Sequence, residues 1–91
     1  MKKKILSIIG TRPEAIKMAP LIIELEKNLN IDHSLCLTSQ HKETASEIIN
    51  FFNLKIDYDL DVMKKNQTLF DITIEILRKL EKVIISDKPD I

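Results

Sequence analysis

A pattern suited to binding an anion follows the first apolar run of the chain. That run ends at Gly10, the only glycine, and a charged helix is predicted to begin directly after it. Thr11 and Glu14 have the S/T-x-x-E spacing of a capping box, in which the threonine caps the helix and the glutamate reaches back to the threonine amide. Unpaired N–H groups at the helix start, together with Arg12 and Lys17, favour a bound anion. The single glycine excludes the P-loop and G-x-G-x-x-G motifs.

Two polar residues, Gln40 and His41, follow the second predicted strand and form a second candidate group. In open α/β sheets, ligands bind along the carboxyl edge, where this strand end meets the glycine turn. From the residues alone, a histidine after a strand is more often a solvated loop residue or a helix cap. Cys36 is predicted to pack in the core, and His33, which has no motif around it, is predicted at the surface.

An acidic segment at 56–61 alternates aspartates with apolar residues. Its D-x-D-x-D run resembles the start of a calcium loop, but an EF-hand requires glycine at the sixth position and glutamate at the twelfth. The chain has Val62 and Thr68 at those positions. We therefore expect an extended segment with a solvated acidic face, and no metal site.

Hydrophobic patterns predict an α/β chain with strands at 4–9 and 34–38 and helices at 13–28, 44–52 and 68–86. The first strand is nearly all apolar, as strands covered on both faces are, and we expect it to be central. A right-handed crossover makes the second strand parallel to it. Residues 88–91 then approach a further strand. The predicted fold class is a Rossmann-like open parallel sheet in the order βαβαα, truncated before the third strand, with residues 1–91 forming one partial domain.

Two helices carry further local signals. Pro20 lies inside the first helix and predicts a kink or break about one turn before it. Such a kink either tips the first turn toward a ligand or fits the helix to a twisted sheet, and the sequence does not choose between these alternatives. The third helix has a cap in Thr68 with Asp71, and an i,i+4 pair is predicted between Glu75 and Lys79.

Composition excludes several classes of function. The chain has 14 basic and 14 acidic side chains, so nothing favours nucleic acid as a partner. The apolar run at 5–9 is too short for a signal peptide or a membrane span. One cysteine excludes an internal disulfide and suits a reducing compartment. We expect a cytoplasmic chain without a membrane or nucleic-acid partner.

The motifs resemble the opening of the non-hydrolysing UDP-N-acetylglucosamine 2-epimerases, a family with a glycosyltransferase-B-like fold. The segment G-T-R-P-E-A-I-K-M-A-P-L at 10–21 carries most of the resemblance. Residues 38–42 are similar to the family's T-A-Q-H-R, and residues 57–63 to its D-Y-D-L-x-I-M. Residues 67–69 and 88–91 also fit, so the resemblance covers the whole chain.

The resemblance implies interconversion of UDP-N-acetylglucosamine and UDP-N-acetylmannosamine, by elimination of UDP and its re-addition after C2 loses its proton. Arg12 and Lys17 match the motif residues that contact UDP, supported by Gly10, Thr11 and Glu14 in the turn and cap. No catalytic residue and no cofactor is implied within the 91 residues. The fragment alone is expected to be inactive and to self-associate. The implied role is in cell-surface polysaccharide biosynthesis.

The same resemblance implies a second nucleotide-sugar site and a homodimeric whole enzyme. Gln40, His41 and Gln67 match the second site, whereas Glu43 and Asn66 replace the glutamine and arginine that are common there. An added anion and a lost cation predict a weakened site. Two alternatives stay open at this point: a related hydrolysing epimerase or glycosyltransferase, and a non-catalytic product or nucleotide-binding half that needs a partner chain.

Overall fold

The computed structural model describes residues 2–38, 42–62 and 66–91, and for residues 42–46 it describes the backbone only. The elements within these ranges are β1 (Lys3–Ile9), α1 (Arg12–Lys27), β2 (Ile31–Leu37), α2 (Lys42–Phe51), β3 (Tyr58–Asp59) and α3 (Leu69–Asp87). All the predicted strands and helices are present. Their ends lie within three residues of the prediction, and the end of β1 at Ile9 matches it.

The sheet has three parallel strands in the order β1-β2-β3, which corrects the predicted number of two. The Asp57 N–H donates to the Leu35 carbonyl at 2.9 Å, and the Leu60 N–H donates to the Leu37 carbonyl at 2.8 Å. The predicted acidic face is also only partly solvated, because an Asp57 carboxylate oxygen accepts from the Leu35 N–H at 2.8 Å. The observed order is therefore βαβαβα, because part of the segment that was predicted to be extended pairs with the open edge of β2.

The last two residues lie along the other edge of β1. Ile91 N–H donates to the Lys4 carbonyl at 3.2 Å, and Leu6 N–H donates to the Ile91 carbonyl at 2.9 Å. These two bonds flank Ile5 in the pattern of a parallel ladder. Hence β1 lies between β2 and the terminal segment, which is the central position predicted for it.

Helices cover both faces of the sheet. On one face α1 and α2 enclose a core whose fully buried members are Ile9, Ala15, Ile22, Leu35, Leu37 and Ile49. On the other face α3 packs its half-buried residues Ile72, Ile76 and Leu80 against a smaller cluster, Cys36, Leu60, Val62 and Val83. The arrangement is a three-layer α/β/α fold, as the buried apolar strands require.

The helix signals have mixed outcomes. Helix α1 runs unbroken from Arg12 to Lys27 with an exposed Pro20 inside it, so the alternative of a break is wrong. The capping box at α3 is confirmed: the Asp71 N–H donates to Thr68 Oγ1, and the Thr68 N–H donates to Asp71 Oδ2, both at 3.0 Å. No helix within the described ranges is long and apolar enough to cross a bilayer.

The predicted Glu75–Lys79 pair is wrong. Glu75 instead lies 3.7 Å from the Arg78 guanidinium, one helical step earlier. Lys79 Nζ donates to the Leu60 carbonyl at 2.8 Å and so ties α3 to the end of β3. Lys79 bonds to this backbone carbonyl, which has no further strand of the described chain to pair with, in preference to a solvated ion pair with Glu75. Such an ion pair contributes only about 0.3–0.5 kcal/mol.

His33 is the clearest error of the sequence interpretation, because its side chain is fully buried rather than at the surface. Its Nε2 lies 2.8 Å from Ser7 Oγ and its Nδ1 lies 2.8 Å from Glu26 Oε1. A carboxylate can only accept, so Nδ1 carries the proton toward Glu26. This chain of contacts joins β1, β2 and α1 near the amino edge of the sheet.

Asp87 makes the corresponding junction on the α3 face. Its Oδ1 accepts from Ser34 Oγ at 2.9 Å and from the Tyr58 hydroxyl at 3.0 Å, and it lies 3.8 Å from Lys4 Nζ. Lys4 Nζ also donates to the Asp87 backbone carbonyl. One buried carboxylate therefore connects α3 to all three strands of the sheet. Accepting from Tyr58 stabilises the neutral phenol, which raises the tyrosine pKa.

Candidate functional site

The carboxyl ends of β1 and β2 meet at one edge of the sheet, as the topology requires. The Thr38 N–H donates to the Ile9 carbonyl at 3.0 Å, which places Thr38 beside the turn at Gly10. Gly10 is buried, and its φ is not positive. The glycine is therefore needed because a Cβ would not fit in the packed turn, and not because the backbone is left-handed.

Helix α1 begins directly after this turn, with Thr11 as its N-cap residue in an extended conformation. The predicted capping box is wrong here, since no side chain caps the helix within the described structure. Glu14 Oε1 instead accepts from the Gly10 N–H at 3.2 Å and from Thr11 Oγ1 at 2.9 Å. The carboxylate thus reaches one residue further back than a capping box does, and the hydroxyl donates to it rather than accepting from the helix.

Arg12 and Lys17 are both exposed, and neither makes an ion pair with another described residue. Five residues correspond to about 140° around a helix, so the two side chains leave α1 from different sides. Arg12 lies in the first turn beside the uncapped N–H groups, and Lys17 lies more than a turn later. Both cations are free to move toward an anion, with Arg12 much the better placed.

Thr38 is a residue of this edge that the sequence interpretation treated only as part of a strand and a motif. It is buried, and its Oγ1 has no hydrogen-bond partner among the described residues. A buried hydroxyl without a partner costs free energy, on the order of 1–3 kcal/mol. Its position between the glycine turn and residues 39–41 makes it a further polar group of the site. The sequence feature that could have identified Thr38 as a site residue is its place at the start of the T-S-Q-H-K segment.

The second group of candidates is only partly placed. Gln40 and His41 lie outside the described residues, as does the side chain of Glu43. Gln67 is half-buried and directly precedes the Thr68 cap of α3. Because the other end of α3 contacts Lys4 at the start of β1, its N-terminus lies toward the carboxyl edge. Gln67 therefore lies at the same edge of the sheet as Gly10. Asn66 directly before it has a left-handed backbone with a φ of 61°.

The remaining chemistry-bearing residues have structural roles. Cys36 is fully buried on the α3 face, as predicted. Burial, with a smaller contribution from the charge of Asp59, raises the thiol pKa from 9.0 to about 11. A thiol held neutral in this way is not a nucleophile. Among the described residues, no group of His, Cys, Asp and Glu side chains has a metal-binding arrangement.

Comparisons with known proteins agree with this architecture. Residues 23–91 match the family model described as UDP-N-acetylglucosamine 2-epimerase. The UDP-N-acetylglucosamine 2-epimerase of Neisseria meningitidis is 48% identical over 87 residues, which cover 96% of this chain and 23% of that protein. The Bacillus subtilis protein of the same name is 46% identical over 92 residues, and 24% of it is covered. The chain thus spans about a quarter of the length of these relatives.

Solved structures give the same result. The chain superposes with a TM-score of 0.86 on the Neisseria meningitidis enzyme bound to UDP-GlcNAc, at 48% identity, covering 96% of this chain and 24% of that one. It superposes with a TM-score of 0.89 on the S. aureus MnaA–UDP structure, at 45% identity, covering 97% of this chain and 23% of that one. The family model, which matches residues 23–91, and the identity of these relatives over nearly the whole chain show that the chain belongs to the UDP-N-acetylglucosamine 2-epimerase family.

Proposed function

We propose that this chain is the nucleotide-binding first part of a non-hydrolysing UDP-N-acetylglucosamine 2-epimerase, acting on UDP-N-acetylglucosamine and UDP-N-acetylmannosamine. The observation that carries the proposal is the start of α1, which follows the buried Gly10 turn without a side-chain cap and carries Arg12, an exposed cation that makes no ion pair with another described residue. Relatives of the same fold are solved with UDP-GlcNAc and with UDP. In the proposed complex, Arg12 and Lys17 bind the diphosphate of this ligand.

The physical chemistry of the reaction fits such a site. In the proposed mechanism UDP leaves the sugar and later returns to it, so negative charge grows on the diphosphate as the bond to the sugar breaks. A guanidinium, an ammonium and the positive end of a helix stabilise that charge more strongly than they stabilise the bound substrate. Arg12 suits the role best, because its planar donors match two phosphate oxygens at once.

We assign no catalytic residue to these 91 residues. Epimerisation at C2 needs a base and an acid within hydrogen-bond reach of the proton that moves. Glu14 is the carboxylate of the site, and its Oε1 already accepts two hydrogen bonds within the turn. Since the chain spans about a quarter of its relatives, we place it as a partial N-terminal domain that does not turn over substrate alone.

The proposal extends to a second nucleotide-sugar site and to the assembly. Gln40, His41 and Gln67 form the second site, weakened by Glu43 and Asn66.

Homodimer formation is supported by the outer side of α3, which leaves several large apolar residues exposed: Leu69, Phe70, Ile74, Leu77, Ile84 and Ile85. The lone reduced Cys36 supports a cytoplasmic location, with the product serving cell-surface polysaccharide biosynthesis.

A chimera tests the activity directly. This chain should replace the aligned 87-residue segment of the Neisseria meningitidis relative. Incubated with UDP-N-acetylglucosamine, the chimera should form the UDP-linked epimer. Release of free N-acetylmannosamine would show the hydrolysing type instead, and a folded chimera that makes neither product would contradict the proposed function.

The Arg12→Ala exchange in the same chimera tests the site. We expect UDP affinity to fall by about 1.5–3 kcal/mol, roughly ten- to a hundredfold, because a charge-assisted hydrogen bond is lost. Lys27→Ala is the matched control, as it removes an exposed cation from the opposite end of α1. Calorimetric titration with UDP measures both. Equal affinities for the two variants would remove Arg12 from the site.

A further inference from the structure

Glu14 occupies the turn that precedes the first helix. Its Oε1 is shared by two donors, the Gly10 N–H at 3.2 Å and the Thr11 hydroxyl at 2.9 Å. Gly10 is buried at the end of β1, and Glu14 is exposed in the first turn of α1. The carboxylate therefore ties the end of the strand to the start of the helix.

The start of α3 provides an internal reference for this geometry. Thr68 and Asp71 have the same spacing as Thr11 and Glu14, yet they exchange bonds only with each other's backbone amides. At α3 the acid serves the helix itself. At α1 the longer acid bypasses the amide of the cap residue and accepts from the amide of the residue before it and from the Thr11 hydroxyl, so the first helical N–H groups have no side-chain cap.

This arrangement has an electrostatic consequence. A helix N-terminus attracts any anion, and here the protein places one of its own anions at that point. The Gly10 N–H donates to Glu14, so a phosphate oxygen approaching the turn competes for the same donor. The negative charge of Glu14 also opposes the attraction that Arg12 and Lys17 exert on a diphosphate.

We propose that Glu14 is a positioning residue that fixes the Gly10 turn and, through its charge, lowers the affinity of the site for the diphosphate of a nucleotide. The inference rests on the proposed function, because it presumes that the ligand is a nucleoside diphosphate. It assigns Glu14 a role different from a helix cap and different from a base. A weakened hold on UDP suits a site at which the diphosphate is released from the sugar.

The exchange Glu14→Gln in the 91-residue chain separates charge from shape. The glutamine oxygen still accepts from Gly10 and Thr11, whereas the charge is gone. We expect UDP to bind roughly twofold to tenfold more tightly than to the unmodified chain. The gain should shrink as salt is added, because exposed charges are screened. A purely structural role for Glu14 would not produce this dependence on salt.

The only glycine of the chain makes the measurement direct. Labelling with ¹⁵N-glycine gives one backbone amide signal, that of Gly10, and its shift can be followed during titration with UDP. Before any ligand is added, Glu14→Gln should move this amide proton upfield, since a neutral acceptor makes a weaker hydrogen bond. Glu24→Gln is the matched control: it removes an exposed carboxylate further along α1 and should change neither the shift nor the affinity.

The outcomes are distinguishable. Unchanged or weaker UDP binding by Glu14→Gln, with Arg12→Ala still weakening it, overturns the inference and leaves the proposed function standing. An unchanged Gly10 shift on Glu14→Gln overturns it as well, without any ligand. If the unmodified chain and the chimera both fail to bind UDP, the proposed function fails, and the inference falls with it.

Discussion

The two faces of the sheet are covered in different ways. Under α1 and α2 the core is closed, with Ala15, Ala19 and Ile22 of α1 and Ile49 of α2 at most 1% exposed. Under α3 only Val83 and Asp87 of the helix are buried, and its sheet-facing stripe is otherwise half-buried. Two helices share the first face, whereas one helix covers the second.

The difference follows from the pattern of each helix. Helix α1 buries one apolar stripe, and its outer side carries charged residues together with two isolated half-exposed apolar ones, Ile16 and Leu21. Helix α3 has apolar residues on two sides, of which the sheet uses one. Phe70, Ile74 and Leu77 recur on the other at four- and three-residue steps and are 79%, 51% and 63% exposed. Exposed apolar side chains at this spacing lie on one side of the helix, where they fit the proposed assembly surface. The closed face thus stabilises the fold, and the open face is the one proposed for assembly.

The largest expected effect is on the closed face. Ile22→Ala removes a side chain that is 1% exposed and should lower the free energy of unfolding by about 2–5 kcal/mol, because it leaves a cavity. The same exchange at Ile74, on the outer side of α3, should cost less than about 1 kcal/mol. Urea unfolding followed by circular dichroism compares the two. Similar losses at both positions would mean that α3 is as firmly packed as α1.

A smaller effect concerns pH and lies on the α3 face, where Cys36 is buried. Its pKa rises from 9.0 to about 11 on folding, so the folded state keeps the thiol proton that the unfolded chain loses first. This contribution is complete below pH 9 and is lost between pH 9 and 11, so stability should fall as pH rises through that window. The loss should be roughly 2–3 kcal/mol, since each pKa unit corresponds to about 1.4 kcal/mol.

Cys36→Ala tests the assignment, since its stability should depend less steeply on pH in this window. Tyr58 contributes in the same direction, because its hydrogen bond to Asp87 raises its pKa and is present in both proteins. The comparison of slopes therefore isolates the cysteine. Identical slopes for the two proteins between pH 9 and 11 would rule out a buried neutral thiol as the cause.

The smallest effect on stability is expected on the open face, where the readout is assembly. Leu77→Lys places a charge in the centre of the exposed side of α3 and should weaken self-association while changing the unfolding free energy by less than about 0.5 kcal/mol. Leu21→Lys, at an exposed leucine of α1, is the matched control and should leave association unchanged. Sedimentation velocity measures both. Equal weakening by the two exchanges would argue against α3 as the specific surface.

Local signals in the sequence identified most of the fold. The near-continuous apolar run of β1, the apolar stripe of α1 and the Thr68–Asp71 box are properties of neighbouring residues, and the structure has all three. The S/T-x-x-D/E spacing was less reliable, because more than one hydrogen-bond arrangement fits it. Thr11 and Glu14 fit a capping box as well as Thr68 and Asp71 do, yet only the second pair forms one. At α1 the longer Glu14 side chain accepts from the Gly10 N–H, whereas at α3 the shorter Asp71 side chain accepts from the Thr68 N–H.

The residue pattern is sufficient to predict the class of fold, the parallel order of the first two strands and the place of Arg12 at the start of a helix after a glycine turn. These features follow from periodicity, from helix termini and from the helical connection between the strands, all of which can be read along the chain. The pairing of Tyr58 and Asp59 as a strand, the burial of His33 against Ser7 and Glu26, and the junction of Asp87 with all three strands are visible only in the folded structure. Each of these depends on polar groups that are distant in sequence and find their partners only when burial removes water as the alternative.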